Sequence, residues 1–558
     1  MSFERRIATA LLICGLIWIT FSALFPAPEP EAEEDVAAVD GKSDEEPSAD
    51  AEAPTADADG PDAAKDAPPT DASLEVVQHL ITNDLVSLKV TNRAPARGGM
   101  VEEIDLLSSQ FEGHETATNP LDLGGASTLE VSFADENTDF RIPGGQAFSV
   151  ESASSDSITL VHRDDAVEVK QTLQLLEGYQ GKLVVEVSNR SGQEQRHRMH
   201  VRTRVGLSGE ESRYNIKRGM CRTQDDFEDE DSNDVEDETV SYKGPVLWGG
   251  VDNKYFGTLV VPTEAFADCD VSRSDDGKFV VGRIGAETVT LSPGGVKRYE
   301  MGLFVGAKEL ESLQAFDAVQ AAEEIHLEEA IDWGILGALS EYLGRMLLWL
   351  MRYFYGWTGV WGWAIVLVTI VIKLMTLPLT LKQMNSMKAM KRIQPKIAEL
   401  KKKYEDDRVK QGQEMQALFA REGVNPLAGC LPVFVQMPVY IALYAMLGAA
   451  VELVHTPFLW LPDLTKQDPY FALPVALGLM MVVQNRMMPS SGDEMQAKLM
   501  RWVMPVVFSA FMLFLPSGLA LYIFVNICLS AIQTAIQVGR NSDAPSDSSG
   551  DEKPAKKK

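Results

Sequence analysis

Six helix-length apolar runs punctuate the chain, at 7–24, 362–379, 427–447, 470–488, 502–515 and 519–538. Each lies near the length of about 20 residues that a bilayer's hydrocarbon core requires. The pattern predicts six transmembrane helices, one at the N-terminus and five grouped after residue 357. Between the first run and the rest the periodicity changes to two. Val86-Ser-Leu88-Lys-Val90, Val167-Glu-Val169-Lys-Gln171-Thr-Leu173, Leu183-Val-Val185-Glu-Val187 and Val289-Thr-Leu291 alternate apolar and polar positions, as half-buried strands do. Residues 74–327 are therefore expected to form a large antiparallel β-sandwich that ends in a helical segment. Residues 328–356 are apolar and aromatic but interrupted by Glu341, Arg345 and Arg352, so an amphipathic helix lying in a membrane interface is expected there.

Charge sets the orientation of these elements. The net charge is −30, but it is unevenly spread. Residues 29–71 hold sixteen acids against Lys42 and Lys65. With almost no large apolar side chains such a stretch cannot offset its ordering entropy, so 27–73 is expected to be a disordered linker behind an anchor at 1–26. Residues 381–424 hold eleven Lys or Arg against six acids. The positive-inside rule makes that loop cytoplasmic, and Lys556-Lys-Lys558 in the tail, 541–558, agrees with it. Arg5 and Arg6 precede the first run, so both termini are expected in the cytoplasm and the β-rich region outside. A second acidic cluster, 225–238, carries ten carboxylates. It fails as an EF-hand, because Asp234 stands where the loop needs Gly and Val240 where it needs a bidentate Glu, and a solvated loop is expected instead.

One charge stands well inside an apolar run, away from either end. Lys373 lies in the 362–379 segment with Thr369 one turn before it on the same helical face. A cation at membrane depth is costly and marks a functional site by default, although a lysine near a helix end can also snorkel to the interface. The later runs carry Gln436, Gln484, Tyr522, Asn526 and Gln533, and no His, Asp or Glu at their centres. Proton-coupled transport and intramembrane proteolysis need carboxylates or a nucleophile with its base. What remains, one cation among amides and hydroxyls, suits transient holding of a polar peptide. After the span, Met384, Met387, Met390, Ile393, Ile397, Leu400 and Tyr404 form one apolar stripe on a helix rich in lysine. A second arm with Val409, Met415, Leu418 and Phe419 completes an antiparallel hairpin. Its basic face, Lys388, Lys391, Arg392, Lys396, Lys401, Lys402 and Lys403, suits ribosomal RNA or acidic protein surfaces.

The external region offers no catalytic constellation. His79, His114, His162, His197 and His200 are scattered and read as solvent-exposed. A sugar-processing sandwich and a small-anion transporter are the competing classes, and no enzyme activity is expected. Neither a Walker loop nor a Rossmann fingerprint occurs, so no nucleotide cofactor is expected, nor a metal. Cys221 and Cys269 fall in the external region, where a disulfide between them stays open.

Leu377-Pro-Leu-Thr380, Gln394-Pro-Lys396, Val424-Asn-Pro-Leu-Ala-Gly-Cys-Leu-Pro432, Gln436-Met-Pro438, Asp468-Pro-Tyr470 and Pro516-Ser-Gly-Leu519 resemble the YidC/Oxa1/Alb3 superfamily of membrane protein insertases. Asp252-Asn-Lys-Tyr-Phe256 and Leu303-Phe-Val-Gly306 resemble its Gram-negative branch, which has a large periplasmic domain of supersandwich type. The resemblance implies a five-helix core over 357–540, in the inner membrane, around a hydrophilic groove open to the cytoplasm and closed toward the periplasm. It places Thr369, Lys373, Gln436, Gln484, Tyr522 and Asn526 in that groove, with lysine where bacterial relatives commonly carry arginine. The partners it implies are nascent membrane proteins, the Sec translocon, the ribosome and signal-recognition targeting factors, and membrane lipids.

Overall fold

The computed structural model describes residues 76–92, 100–111, 118–124, 126–133, 136–140, 142, 147–207, 216–236, 238–320, 325–334, 338–405, 407–424, 431–487 and 498–542, without the side chains of 317–320, 382–388, 391, 431–435, 487 and 537–542. The N-terminal anchor, the acidic linker, nearly all of the tail, His114 and the side chains of Lys388 and Lys391 lie outside the described residues.

Strict alternation produces strict half-burial. In Val167–Leu175 and Gln180–Asn189 every second residue is buried, and Val167, Val169, Leu173, Leu183, Val185 and Val187 face the core, as a pleat with one wet face requires. Phe256–Pro262 is buried at every position. It is apolar on both faces because protein covers both. All pairings are antiparallel, and eleven strands lie on one continuous path from Glu130–Ser132 to Ser149–Ala153. The expected sandwich is thus a single long sheet folded on itself, with a three-stranded sheet of Gln78–Thr82, Val86–Thr91 and Val101–Leu106 beside it. The fold is made in Val240–Asp252. Its first half pairs with Phe266–Arg273 and its second with Phe256–Pro262, across a register break between Lys243 and Val246. Gly244 sits in that break at φ +130°, a conformation closed to most L side chains. The limbs then stack so closely that a Cβ on Gly282 would meet the Gly250 carbonyl oxygen at 2.6 Å.

Two expectations about this domain fail. Within the acidic cluster, Phe227–Asp231 is a strand, paired along Arg218–Thr223. Arg218 meets Asp229 at 2.7 Å, so cross-strand charge holds carboxylates that would otherwise stay solvated. His162, His197 and His200 are buried rather than exposed. His197 lies among Phe133, Phe140 and Tyr299, 2.9 Å from the Tyr299 hydroxyl, and burial pushes its pKa down to about 4. It is a neutral core residue.

Cys221 and Cys269 form a disulfide, Cα to Cα 5.9 Å, between strands on either side of Val240–Asp252. Beside it, Arg218 donates to both Asp252 oxygens at 3.1 and 2.7 Å, and Arg218 and Lys308 both donate to the Ala330 carbonyl. Lys308 also pairs with Asp252. The fully buried carboxylate accepts from two cations, and the Ala330 carbonyl accepts a further hydrogen bond from each of them, the kind of pairing under which buried charge is tolerated.

Among the described residues eight α-helices follow: α1 (Leu310–Gln320), α2 (Ala338–Thr358), α3 (Trp361–Lys403), α4 (Arg408–Glu422), α5 (Leu431–Ala449), α6 (Ala472–Met487), α7 (Met504–Met512) and α8 (Ser517–Ser542). α2 packs on α3 and α5, and α8 on α3 and α6. Its exposed Tyr342, Met346, Trp349, Tyr353 and Trp357 recur at spacings of three and four, the amphipathic stripe expected for 328–356. α3 does not end with its apolar run. It continues through Pro378 and Pro395 for 43 residues, so span and first hairpin arm are one helix. Near Pro378 the Thr376 and Thr380 hydroxyls donate to the Ile372 and Leu377 carbonyls at 3.0 and 2.9 Å, as hydroxyls do beside helix prolines. Among the described residues, Trp361–Leu381 and Ser517–Ile536 are long and apolar enough to cross a membrane, and Gln436–Ala449 and Leu499–Met512 are apolar but shorter.

The β-rich domain is bolted to the helices at the end away from the hairpin. Gln110 donates to the Val451 and Val454 carbonyls at 2.8 and 2.9 Å, and Arg352 of α2 meets Glu311 and Glu452. Lys254 reaches α5 near Gly448 and packs on the Tyr255 ring, and burial pushes its pKa down to about 8.

Two measurements follow from these contacts. Replacing Cys221 and Cys269 together by Ala should cost about 4 kcal/mol, the loop-entropy value for a separation of 48 residues, read by denaturant unfolding of the purified chain with and without reductant. Lys254 binds its proton less tightly folded than unfolded, so between about pH 8 and 10.5 the unfolded chain holds more protons and stability rises with pH. Lys254→Met should flatten that rise by about 1 kcal/mol per pH unit and stabilise the chain at pH 7, measured by thermal unfolding across the range.

Candidate functional site

α8 presents Tyr522, Asn526, Ser530 and Gln533 at spacings of four, four and three, which puts them on one helical face about 16 Å long. α3 and α5 supply the partners. Lys373 donates to the Ser530 hydroxyl, which in turn donates to the Asn526 carbonyl at 2.7 Å. Asn526 Nδ2 donates to the Tyr440 hydroxyl at 3.1 Å. Gln436 Nε2 donates to the Tyr522 hydroxyl at 2.8 Å, and the rings of Tyr440 and Tyr522 meet edge to face at 5.8 Å. Toward the hairpin, Gln533 donates to Thr380 Oγ1 at 2.9 Å. The result is a polar seam along the junction of α3, α5 and α8. Among the described residues no carboxylate pairs with Lys373, so its ammonium has one neutral partner and a free charge.

Burial along α3 runs in one direction. At the β-domain end Ala364, Ile365, Val368, Thr369, Leu519, Leu521, Tyr522 and Ile523 are buried. From Ile370 toward the hairpin, α3 shows no buried side chain among those described until Ile393. Lys373, Gln436, Asn526, Ser530 and Gln533 are all partly open. The seam is sealed at one end and accessible at the other.

Of the residues expected here, Lys373, Gln436, Tyr522 and Asn526 come together. Thr369 is buried, and its hydroxyl donates to the Ile365 carbonyl of its own helix at 2.7 Å, so it seals the seam and does not line it. No hydrogen bond joins Gln484, on α6, to the set among the described residues. Ser530, Tyr440 and Thr380 complete it and are not singled out by the sequence reading. Ser530 was reachable from the spacing Tyr522, Asn526, Ser530 alone.

The end of α3 and α4 form the two arms of a hairpin, and part of its charge is used internally. Asp407 caps α4 by accepting from Lys410 N at 2.9 Å, and Gly423 closes the helix at φ 63°. Lys396 meets Glu422 at 2.6 Å with Arg392 at 3.9 Å, and Lys396 holds the Glu422 carboxyl below its ordinary value. Lys403 packs on the Tyr404 ring. Lys402 and Lys403 are exposed and Lys401 is partly covered.

Two family descriptions cover the chain from the first described strands to α8. Residues 81–350 match "YidC periplasmic domain" and 353–543 match "60Kd inner membrane protein". Proteins named membrane protein insertase YidC are similar in sequence. That of Anaeromyxobacter dehalogenans is 39% identical over 308 residues, 55% of this chain and 54% of its own, so the chain spans about half of that relative's length. That of Nitrosococcus oceani is 33% identical over 408 residues, 72% of this chain and 73% of its own. A solved structure described as an active YidC insertase covers 83% of this chain at 20% identity, with a TM-score of 0.38. Sequence identity sustained over nearly three quarters of both chains, together with the two matched regions, places this protein in the YidC family of membrane protein insertases.

Proposed function

We propose that this chain is a multi-pass inner-membrane insertase that receives nascent membrane proteins in the α3–α5–α8 seam and delivers their apolar segments to lipid. The observation that carries the reading is the half-open position of Lys373, a cation with one neutral partner in a seam sealed at the periplasmic-domain end and open toward the basic hairpin. A polar tail or loop entering from that side meets hydroxyls and amides in place of hydrocarbon, which lowers the cost of bringing unsatisfied backbone and carboxylates into the inner leaflet. Lys373 then attracts an acidic substrate tail by charge alone. Lysine supplies a point charge without the bidentate fork of arginine, so the attraction has no strict geometric requirement. The apolar faces left exposed, Leu374 and Met375 on α3, Val475, Leu479 and Val483 on α6 and Ile532 and Ile536 on α8, suit lipid and the departing substrate helix.

In this reading the six spans run with both termini cytoplasmic, and the hairpin reaches the ribosome, targeting factors or the chain emerging from them. Work beside the Sec translocon uses the same seam. No bond is made or broken, so the protein is not an enzyme, and the driving energy comes from substrate partitioning and membrane potential.

The seam's charge and its hydrogen bonds separate in two experiments. Lys373→Glu should lower insertion of a single-span substrate with an acidic N-terminal tail by about tenfold or more, about 1.4 kcal/mol, while Lys373→Arg keeps most of it, scored by protease protection in vesicles. Equal insertion by Lys373→Glu and wild type would remove the charge from the mechanism. Tyr522→Phe removes the acceptor of the part-buried Gln436 amide and should cost about 1 kcal/mol of stability, seen as a lowered Tm in detergent, with substrate preference unchanged.

A further inference from the structure

The segment between α5 and α6 holds a device that the seam does not use. Phe458 N donates to the Leu461 carbonyl at 2.8 Å and Leu461 N to the Phe458 carbonyl at 2.9 Å, a closed two-residue hairpin with Leu459 and Trp460 at its tip. Leu459 stands at φ 55°, a conformation that favours glycine and costs a bulky L residue about 1–2 kcal/mol. Despite that strain, Leu459 is 72% exposed and Trp460 43%. The underside is the reverse. Phe458 and Leu461 are buried, and Phe458 packs on Trp363 at 5.5 Å and over Gly362, where any Cβ would strike its ring. The base is tied to α8, with Ser517 N donating to the Lys466 carbonyl at 2.7 Å and Gly518 N to the Leu464 carbonyl at 2.9 Å. Lys466 itself is exposed.

A rigid tip that pays backbone strain to hold a leucine and a tryptophan outward, with a lysine at its foot, has the composition of a membrane-interface anchor. Its place agrees. It is fixed to the first turns of both long apolar spans, Trp361–Leu381 and Ser517–Ile536, and continues the exposed apolar face that begins with Trp363. We propose that the Phe458–Leu461 tip is a lipid wedge seated at the headgroup–acyl boundary of the outer leaflet, and that it sets the depth of the groove cation. From Gly362, under the wedge, to Lys373 is eleven residues of continuous helix, or about 16 Å. The hydrocarbon core is about 30 Å thick. Seating the wedge at the outer boundary therefore holds Lys373 near the bilayer midplane, where its charge acts on a substrate at greatest strength. This inference rests on the membrane reading above.

Spin labels in reconstituted vesicles of phosphatidylethanolamine and phosphatidylglycerol test it. Cys14, Cys430 and Cys528 are replaced by Ser, the Cys221–Cys269 disulfide is kept, and a label is placed at Leu459→Cys or, should that variant fail to fold, at Trp460→Cys. Labels at Met375→Cys on α3 and Val296→Cys on the β-rich domain, both exposed, report lipid and water. The tip label should collide with dissolved oxygen several-fold more, relative to a water-soluble nickel chelate, than the Val296 label does. Water-like collisions at the tip with a lipid-like Met375 would overturn the wedge and leave the spans standing. A tip shielded from both reagents would also overturn it, because protein would then cover the tip. Water-like collisions at Met375 as well would overturn the membrane reading and the wedge with it.

Discussion

One desolvated charge organises the helical half of this protein. A lysine ammonium among apolar helices must be given polar neighbours or reach water, since its transfer into hydrocarbon is costly on any scale. The Ser530 hydroxyl meets Lys373, and Ser530 is one rung of a face that continues through Asn526 to Tyr522. α8 must therefore turn that face toward α3 and α5. Its opposite face, with Ile532 and Ile536, is left exposed. The rotation of α8 thus gives the cation a polar partner without neutralising it, and α5 joins the same face through Gln436 and Tyr440.

A seam open at both ends would be a pore, and the closed end depends on the other half of the molecule. Tyr522, Ile523, Thr369 and Val368 fill the seam there, and above them the loop after α5 is held by Gln110 and by Arg352 through Glu452. Gln110 belongs to a β-rich domain whose own junction is fixed by the buried Arg218–Asp252–Lys308 cluster, and Arg352 of α2 also meets Glu311 of α1. Rigidity at one end of the seam thus supports accessibility at the other.

Local periodicity made much of this legible before any coordinates. The strands at 167–175 and 180–189 follow from alternation, the hairpin from a methionine stripe ended by acids, and Lys373 from being the one charge in its run. What stayed hidden depends on contacts remote in sequence. The acidic strand Phe227–Asp231 exists because Arg218 faces it, and the sheet turns back at Gly244-Pro245 because limbs far apart in sequence stack there. His197 looks like a surface histidine until Phe133, Phe140 and Tyr299 surround it. In the seam, a tyrosine within an apolar helix gives no signal until the helix opposite is known, which hides Tyr440, whereas Ser530 is marked by its spacing of four from Asn526. Thr369, assigned by resemblance, turns out to donate to its own backbone.

The central claim is that a substrate's polar segment occupies the α3–α5–α8 seam during insertion. Photocrosslinking from a probe at Gln436 and another at Ser530 to a ribosome-stalled single-span membrane protein, in inner-membrane vesicles, tests it most directly. Occupancy of the seam gives adducts from both positions to the substrate's polar tail, lost when the chain is released and fully inserted. Inserted substrate with no adduct at either position during stalling would contradict it.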